Sequence, residues 1–525
     1  MKRHLICAIA LAVALAPPIR ADVRLHPLFT DHMVLQRATL IPVWGTADPG
    51  ETVVVRLQRQ TPDWIESSVG EAVADGDGRW RIHLPLPRSF GPYTMTVTGK
   101  NTVTLEDVMV GEVWICSGQS NMEWPLRATF QPDAAVSQSA NPMIRLFTVQ
   151  RAAVPTPQTT LRSDGWKVCG PETVRPFSAV AYYFGRDLQS ALQMPIGLIH
   201  TSWGGTPAQA WTSQPALDAV PALQHYHANW KRVVERFDPA RMQSDYEAAL
   251  KKWEADAEKA RAEGKPAPNR PRAPVPPTQS PSAPSTLYNG MIAPLVPYSF
   301  RGAIWYQGES NAGAAYEYRT LFPTMIEDWR RQWGRPFPFL LVQLAPFRKI
   351  NPNPMDSDWA ELREAQLLAT RVLPDVGMAV ITDVGDENDI HPGKKEPVGA
   401  RLALLARRIA YHQPIVADGP TYRSMFVDGN RIVLCFDNIG SGLECRGDKL
   451  TGFTIAGADR KFVNAEAEIR GNTVVVHSPE VEKPVAVRFG WAHYPVVNLW
   501  NRDGLPASPF RTDDWPGVTA PKPGK

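Results

Sequence analysis

The sequence predicts an α/β fold: a parallel sheet with helices on both faces, and accessory β-rich modules toward the two ends of the chain. Three observations predict it. Between residues 106 and 415, short apolar runs such as "GEVWIC", "PIGLIH", "RGAIWY", "PFPFLLV" and "GMAVI" alternate with stretches of helical periodicity. Strands buried on both faces read as such continuous apolar runs, and their alternation with helices implies a parallel sheet. Residues 22–105 and 416–525 instead carry short β-branched segments broken by Gly, Pro and Asp turns. Finally, polar strings follow the apolar runs directly, and open α/β sheets bind ligands beyond the carboxyl ends of their strands.

In chain order, residues 1–21 read as a secretory signal. Lys2 and Arg3 give a positive start, and Leu5 to Ala16 form an apolar run too short to span a bilayer. Cleavage after Ala21 fits better than after Ala16, where Pro17 would follow the cut; an uncleaved anchor is the alternative. The expected location is secreted or periplasmic, with no membrane association after cleavage. Residues 22–105 read as a β-sandwich or jelly-roll module. In the α/β region 106–415, "AVAYYFGRDLQSAL", "AYEYRTLFPTMIEDWRRQW", "WAELREAQLLATRVL" and "PVGARLALLARRIAY" are the intervening helices. Residues 228–285 interrupt the pattern with a charged helical stretch and the Pro-rich "PAPNRPRAPVPPTQSPSAPS". This insertion reads as a surface excursion, with a lid as the alternative. Residues 416–525 are β-rich, and the apolar, irregular final segment is placed to run back across the α/β domain.

Composition restricts the partners. The chain has 525 residues, 43% hydrophobic and 21% charged, enough for several folded units. Removing residues 1–21 takes away Lys2, Arg3, Arg20 and no acid, so the formal charge of +3 falls to zero. A balanced surface argues against nucleic acid or anionic membrane as the main partner. The cysteines beyond residue 21 are Cys116, Cys169, Cys435 and Cys445, with no CxxC, so neither a zinc ribbon nor a thioredoxin-like site is indicated. Cys435 and Cys445 flank a turn and read equally as a hairpin disulfide or two free thiols.

Four strings carry chemistry. In "ICSGQSNMEWP", Gly118 permits a tight turn and Ser120 opens a helix, where its hydroxyl is exposed and its own N–H faces a developing oxyanion. The plainer reading of Ser120 alone is a helix cap. "SWGGTPAQAW" places Gly204 and Gly205 after a buried strand, where backbone can approach a substrate closely. "IWYQGESNAG" offers Gln307, Glu309 and Asn311, and neutral amides suit an oxyanion hole. "DVGDENDIHPGKK" puts His391 among carboxylates, as a general base requires. No HExxH or clustered His/Asp set calls for a metal, and no cofactor is implied. Trp124, Trp203, Trp211 and Trp305 flank the strings and are candidates to stack on sugar rings, with core packing the commoner fate.

These strings, in this order, resemble the SGNH-hydrolase superfamily, and most closely its sialate O-acetylesterase-like branch. "GEVWICSGQSNM", "WGGTPAQAW", "LYNGMIAPLVPYSFRGAIWYQGESN", "DIHPGKKEPVGARLAL", the early "MVLQR" and the late "PVVNLWNRDGLPASPFRTD" all look like that branch. The resemblance covers nearly the whole chain after residue 21 except the insertion. It implies an SGNH-type sheet and a secreted serine esterase that removes O-acetyl groups from carbohydrates, either acetylated xylan or xyloglucan fragments or O-acetyl sialic acid. It implies Ser120 as nucleophile, His391 as base, and an oxyanion hole from Ser120 and Gly205 N–H groups with either Gln307 or Asn311. The superfamily usually has Asp three residues before the His, where this chain has Asn388. Asp389 is the nearest carboxylate and the expected third member; Asp386, Asn388 or a main-chain carbonyl are the alternatives. A carbohydrate-binding protein with a degenerate esterase domain is the competing reading. A simple lipid esterase would carry a GxSxG elbow, which "GQSNM" is not.

Overall fold

One strand organises the molecule. Thr102–Gly118 (β1) runs for 17 residues and serves two sheets in turn. Its first half pairs antiparallel with Tyr93–Thr98 of the N-terminal region; Met109–Gly111 pair with Val34–Gln36; Glu112–Gly118 pair parallel with the strand Ile196–Ser202. The expected division at residue 105/106 therefore falls inside a continuous strand, and the core is shared across it: Val53, Val55 and Val97 belong to the same apolar cluster as Trp305 and Trp329. The computed structural model describes residues 22–37, 40–271 and 273–521, so the signal segment 1–21 lies outside the described residues.

After β1 come α1 (Ser120–Glu123), β2 (Asn141–Thr148), β3 (Lys167–Cys169), α2 (Ala179–Leu192), β4 (Ile196–Ser202), β5 (Gly302–Tyr306), α3 (Ala315–Gln332), β6 (Phe339–Val342), α4 (Asp358–Val372), β7 (Val376–Ala379) and α5 (Glu396–Ile409). Strand order is β3-β2-β4-β1-β5-β6-β7. Six of these strands are parallel, as expected. The sheet as a whole is mixed: β3 joins the β2 edge antiparallel, and N-terminal strands extend the other end of β1. Alternate β1 residues feed two cores. Val113 and Ile115 face the cluster holding α3 and α4, whereas Trp114 and Cys116 face α2 and α5. Helices thus cover both faces, and the apolar runs are explained by burial on both sides. Ser178 and Ser357 cap α2 and α4 by accepting backbone N–H groups of Ala181 and Ala360.

The insertion forms helices His225–Glu235 and Pro239–Ala262; only Ala257 of these is buried, which fits a surface excursion. Beyond α5 the chain builds small antiparallel sheets around a core of their own, including Ile432, Val474 and Phe489. Cys435 and Cys445 lie on strands of different sheets and are unbridged. The last segment does return across the α/β domain: Arg511 meets Glu364 at 2.8 Å, and Glu361 accepts the N–H groups of Val518 and Thr519.

Candidate active site

Three parallel strands end level with one another. Gly118 of β1 is opposite both Ser202 of β4 and Tyr306 of β5, so the segments that follow converge at one edge. Gly118 has φ +141°, and a Cβ there would lie 2.2 Å from the Tyr306 carbonyl oxygen, so only glycine fits the turn. Two backbone bonds then tie the loops together: Gln119 N–H donates to Tyr306 O (2.9 Å) and Trp203 N–H to Gly118 O (3.2 Å). Ser120 follows as the first residue of α1.

His391 arrives from the segment after β7. Its Nε2 lies 2.8 Å from Ser120 Oγ, although 271 residues separate the two. Its Nδ1 lies 3.3 Å from Asp389 Oδ1. That same oxygen accepts the His391 backbone N–H at 2.8 Å. The segment is a turn rather than an extended chain: Asp386 Oδ1 accepts the N–H groups of Asn388 and Asp389. Asn388 Oδ1 accepts from Lys349 Nζ. Of the candidates considered for the third position, only Asp389 sits beside the imidazole.

Trp124 lies parallel to the His391 ring, with centroids 4.8 Å apart and planes 14° apart. Burial lowers the imidazole's pKa below its ordinary value, against the opposing pull of Asp389 and assisted by the nearby Lys395 charge. Burial outweighs Asp389 because that carboxylate is 55% exposed and its field is screened by water.

The remaining predicted residues divide. Gly205, at φ +74°, is exposed, with open space where a Cβ would be. Its N–H, like that of Ser120, has no acceptor among the described residues. Gln307 is fully buried, and its Nε2 donates to Thr206 O (3.3 Å) and Asn311 Oδ1 (2.7 Å). Asn311 Nδ2 donates to Gln209 Oε1 at 3.1 Å. Trp124 and Trp203 stay partly exposed beside the nucleophile turn, whereas Trp211 and Trp305 pack edge to face in the core.

The comparisons with known proteins identify the family. Residues 279–404 match the family described as carbohydrate esterase, sialic acid-specific acetylesterase. Sialate O-acetylesterase of Rattus norvegicus is 31% identical over 416 residues, covering 73% of this chain and 72% of the rat protein. The chain belongs to the sialate O-acetylesterase family. It is a carboxylic ester hydrolase, and carbohydrate O-acetyl esters are its substrate class. The Homo sapiens sialate O-acetylesterase is 30% identical over 430 residues, with 76% of this chain and 73% of that protein covered. A crystal structure of a carbohydrate acetylesterase from Xanthomonas citri superposes with a TM-score of 0.78 at 36% identity, covering 94% of this chain and all of that one.

Within this family member, several residues around the pair escaped sequence reasoning. Glu123 Oε2 accepts the Gly204 N–H at 2.8 Å, while its Oε1 pairs with Arg151, whose guanidinium lies 5.4 Å from the Trp203 ring centre. The helical spacing of Glu123 from Ser120, one turn on, was the available signal. A second serine–histidine contact, His200 Nε2 to Ser202 Oγ at 2.6 Å, lies on β4. Both residues are buried, and burial pushes His200 down to about 4.

Proposed function

We propose that the chain is an exported serine O-acetylesterase of the SGNH type, with Ser120 as nucleophile, His391 as general base and Asp389 as the carboxylate that orients it. The observation that carries this reading is the 2.8 Å contact between Ser120 Oγ and His391 Nε2 at the open end of the sheet. Ser120 Oγ attacks the acetyl carbonyl carbon as His391 Nε2 takes its proton. Collapse of the tetrahedral intermediate breaks the ester C–O bond, and His391 returns the proton to the leaving sugar oxygen. Water, deprotonated by His391, then attacks the acetyl-serine, releasing acetate and regenerating the Ser120 hydroxyl.

The uncommitted N–H groups of Ser120 and Gly205 are the donors we assign to the oxyanion. Asn311 is the side-chain donor we favour, because one of its amide hydrogens is uncommitted among the described residues. Gln307 spends both of its hydrogens on Thr206 and Asn311 and acts in this reading as the brace that aims Asn311. The degenerate-domain alternative is allowed by the flanking β regions and drew some weight from Asn388; the place of Asp389 beside the imidazole counts against it.

Trp124 and Trp203 supply flat partners for sugar rings, and Glu123 offsets the charge of Arg151 at the rim. The offset charge favours neutral acetylated oligosaccharide, such as xylan or xyloglucan fragments, over O-acetyl sialic acid. Export rests on the signal features of residues 1–21. The test is acetate release from all three substrate classes by wild type and Ser120→Ala. Release that vanishes in the variant supports the reading, and the preferred sugar identifies the substrate. Sugar binding without release would return the protein to a binding role.

A further inference from the structure

Lys395 is four residues beyond His391, 1% exposed, and poorly placed for stability. It stands at the N-cap of α5, where the helix dipole disfavours a cation. Burial of an ammonium adds a desolvation cost. Its contacts indicate what the buried ammonium does. Its Nζ donates to Asn121 Oδ1. Asn121, the residue after Ser120, is itself 1% exposed, and its Nδ2 donates to Glu309 Oε1 (2.6 Å) and to the carbonyl of Ile390 (3.0 Å). Ile390 is the residue before His391. One buried amide therefore joins the nucleophile turn, the "QGESN" segment and the histidine segment, and Lys395 holds its oxygen.

We propose that Lys395 is a positioning residue for the Ser120–His391 pair: through Asn121 it fixes the histidine segment against the nucleophile turn. The inference rests on the serine-esterase reading above. The charged groups that face the imidazole are Asp389, from its own segment, and Lys395. From the other elements, α1 presents the Ser120 hydroxyl and the chain just beyond it the Trp124 ring, both neutral. Glu309 lies behind Asn121; burial raises its pKa, and its Oε2 has no partner among the described residues. Burial brings Lys395 itself down to about 7, with Glu309 and Asp389 opposing that shift.

Lys395→Met keeps most of the side-chain volume and removes the charge and the hydrogen bond. The measurement is hydrolysis of 4-nitrophenyl acetate across pH, with thermal melts of each variant. The expected result is a variant that still melts cooperatively, kcat lowered about tenfold or more by lost alignment, and an acid limb of kcat/KM moved to higher pH as His391 becomes easier to protonate. Lys395→Arg, which keeps the charge, should leave the limb near its wild-type position. Should Lys395→Met fail to fold, Asn121→Ala carries the test: removing the bridge alone predicts the loss in kcat with the limb unmoved. A folded Lys395→Met with wild-type kcat and an unmoved limb overturns the inference while leaving the esterase reading intact. A wild type no more active than Ser120→Ala overturns both.

Discussion

The imidazole of His391 lies flat on the indole of Trp124, 4.8 Å between ring centres. The stack shields one face of the base from water and limits its rotation, while Trp124 Nε1 is anchored to the Ala128 carbonyl at 2.8 Å. Trp124→Leu is expected to lower kcat about tenfold, since a base that swings away from Ser120 loses alignment. Steady-state kinetics beside a melting curve checks it; a folded variant with unchanged kcat would remove the stack from the mechanism.

The pH profile follows from the same burial. His391 acts as base when neutral, and burial depresses its pKa. Activity should persist as pH falls past the ordinary imidazole value of about 6.5 and be lost only below it, as His391 protonates. A kcat/KM profile with its acid limb above that value would contradict the assigned environment.

Asp389 should matter less than the fully buried carboxylate of a serine protease triad. It is half exposed and 3.3 Å from Nδ1, so Asp389→Asn is expected to cost about 10–100-fold, against about 10⁴ for the buried case. Asn388→Ala, whose side chain meets Lys349 instead, should cost far less. Parallel kcat values for the two variants decide which side chain orients the base.

Glu123 fixes the glycine turn. With Glu123→Ala the Gly204 N–H loses its acceptor and the neighbouring Gly205 N–H is no longer held in place. We expect a loss in kcat of about tenfold, short of the 10²–10³ typical of deleting an oxyanion donor outright. An equal loss in Arg151→Ala would instead assign the effect to the rim ion pair.

Glu112 supports the junction between the N-terminal sheet and the α/β domain. It is fully buried on β1 and receives Arg301 Nε at 2.7 Å, Tyr411 OH at 3.1 Å and Gln36 Nε2 at 3.2 Å, with Arg37 at 3.3 Å. Glu112→Ala leaves two guanidinium groups without their shared carboxylate and should cost about 3 kcal/mol. Denaturant titration measures it.

What could be read in the sequence follows physical rules. The strands around Ile115, Leu198 and Ile304 were legible because a strand buried on both faces reads as a near-continuous apolar run. Ser120 and His391 were legible because their strings directly follow such strands. Asp389 was left among alternatives because the turn that folds it back depends on Asp386 accepting two N–H groups, which residue spacing does not reveal. Lys395 and Glu123 were not singled out because their partners, Asn121 and Gly204, lie far from them in sequence and meet them only in the folded chain. The place of β1 in two sheets was hidden because its polar first half and apolar second half look like two strands. Trp211 and Trp305 went to the core, as most tryptophans beside a buried strand do.

The central claim is that Ser120, activated by His391, is the group acylated during turnover. The most direct measurement is reaction of the wild-type protein with a fluorophosphonate at neutral pH, followed by peptide mapping of the adduct. A single phosphonylated site at Ser120, formed much more slowly in His391→Ala, is the predicted result. Modification elsewhere, or a labelling rate that ignores the loss of His391, would contradict it.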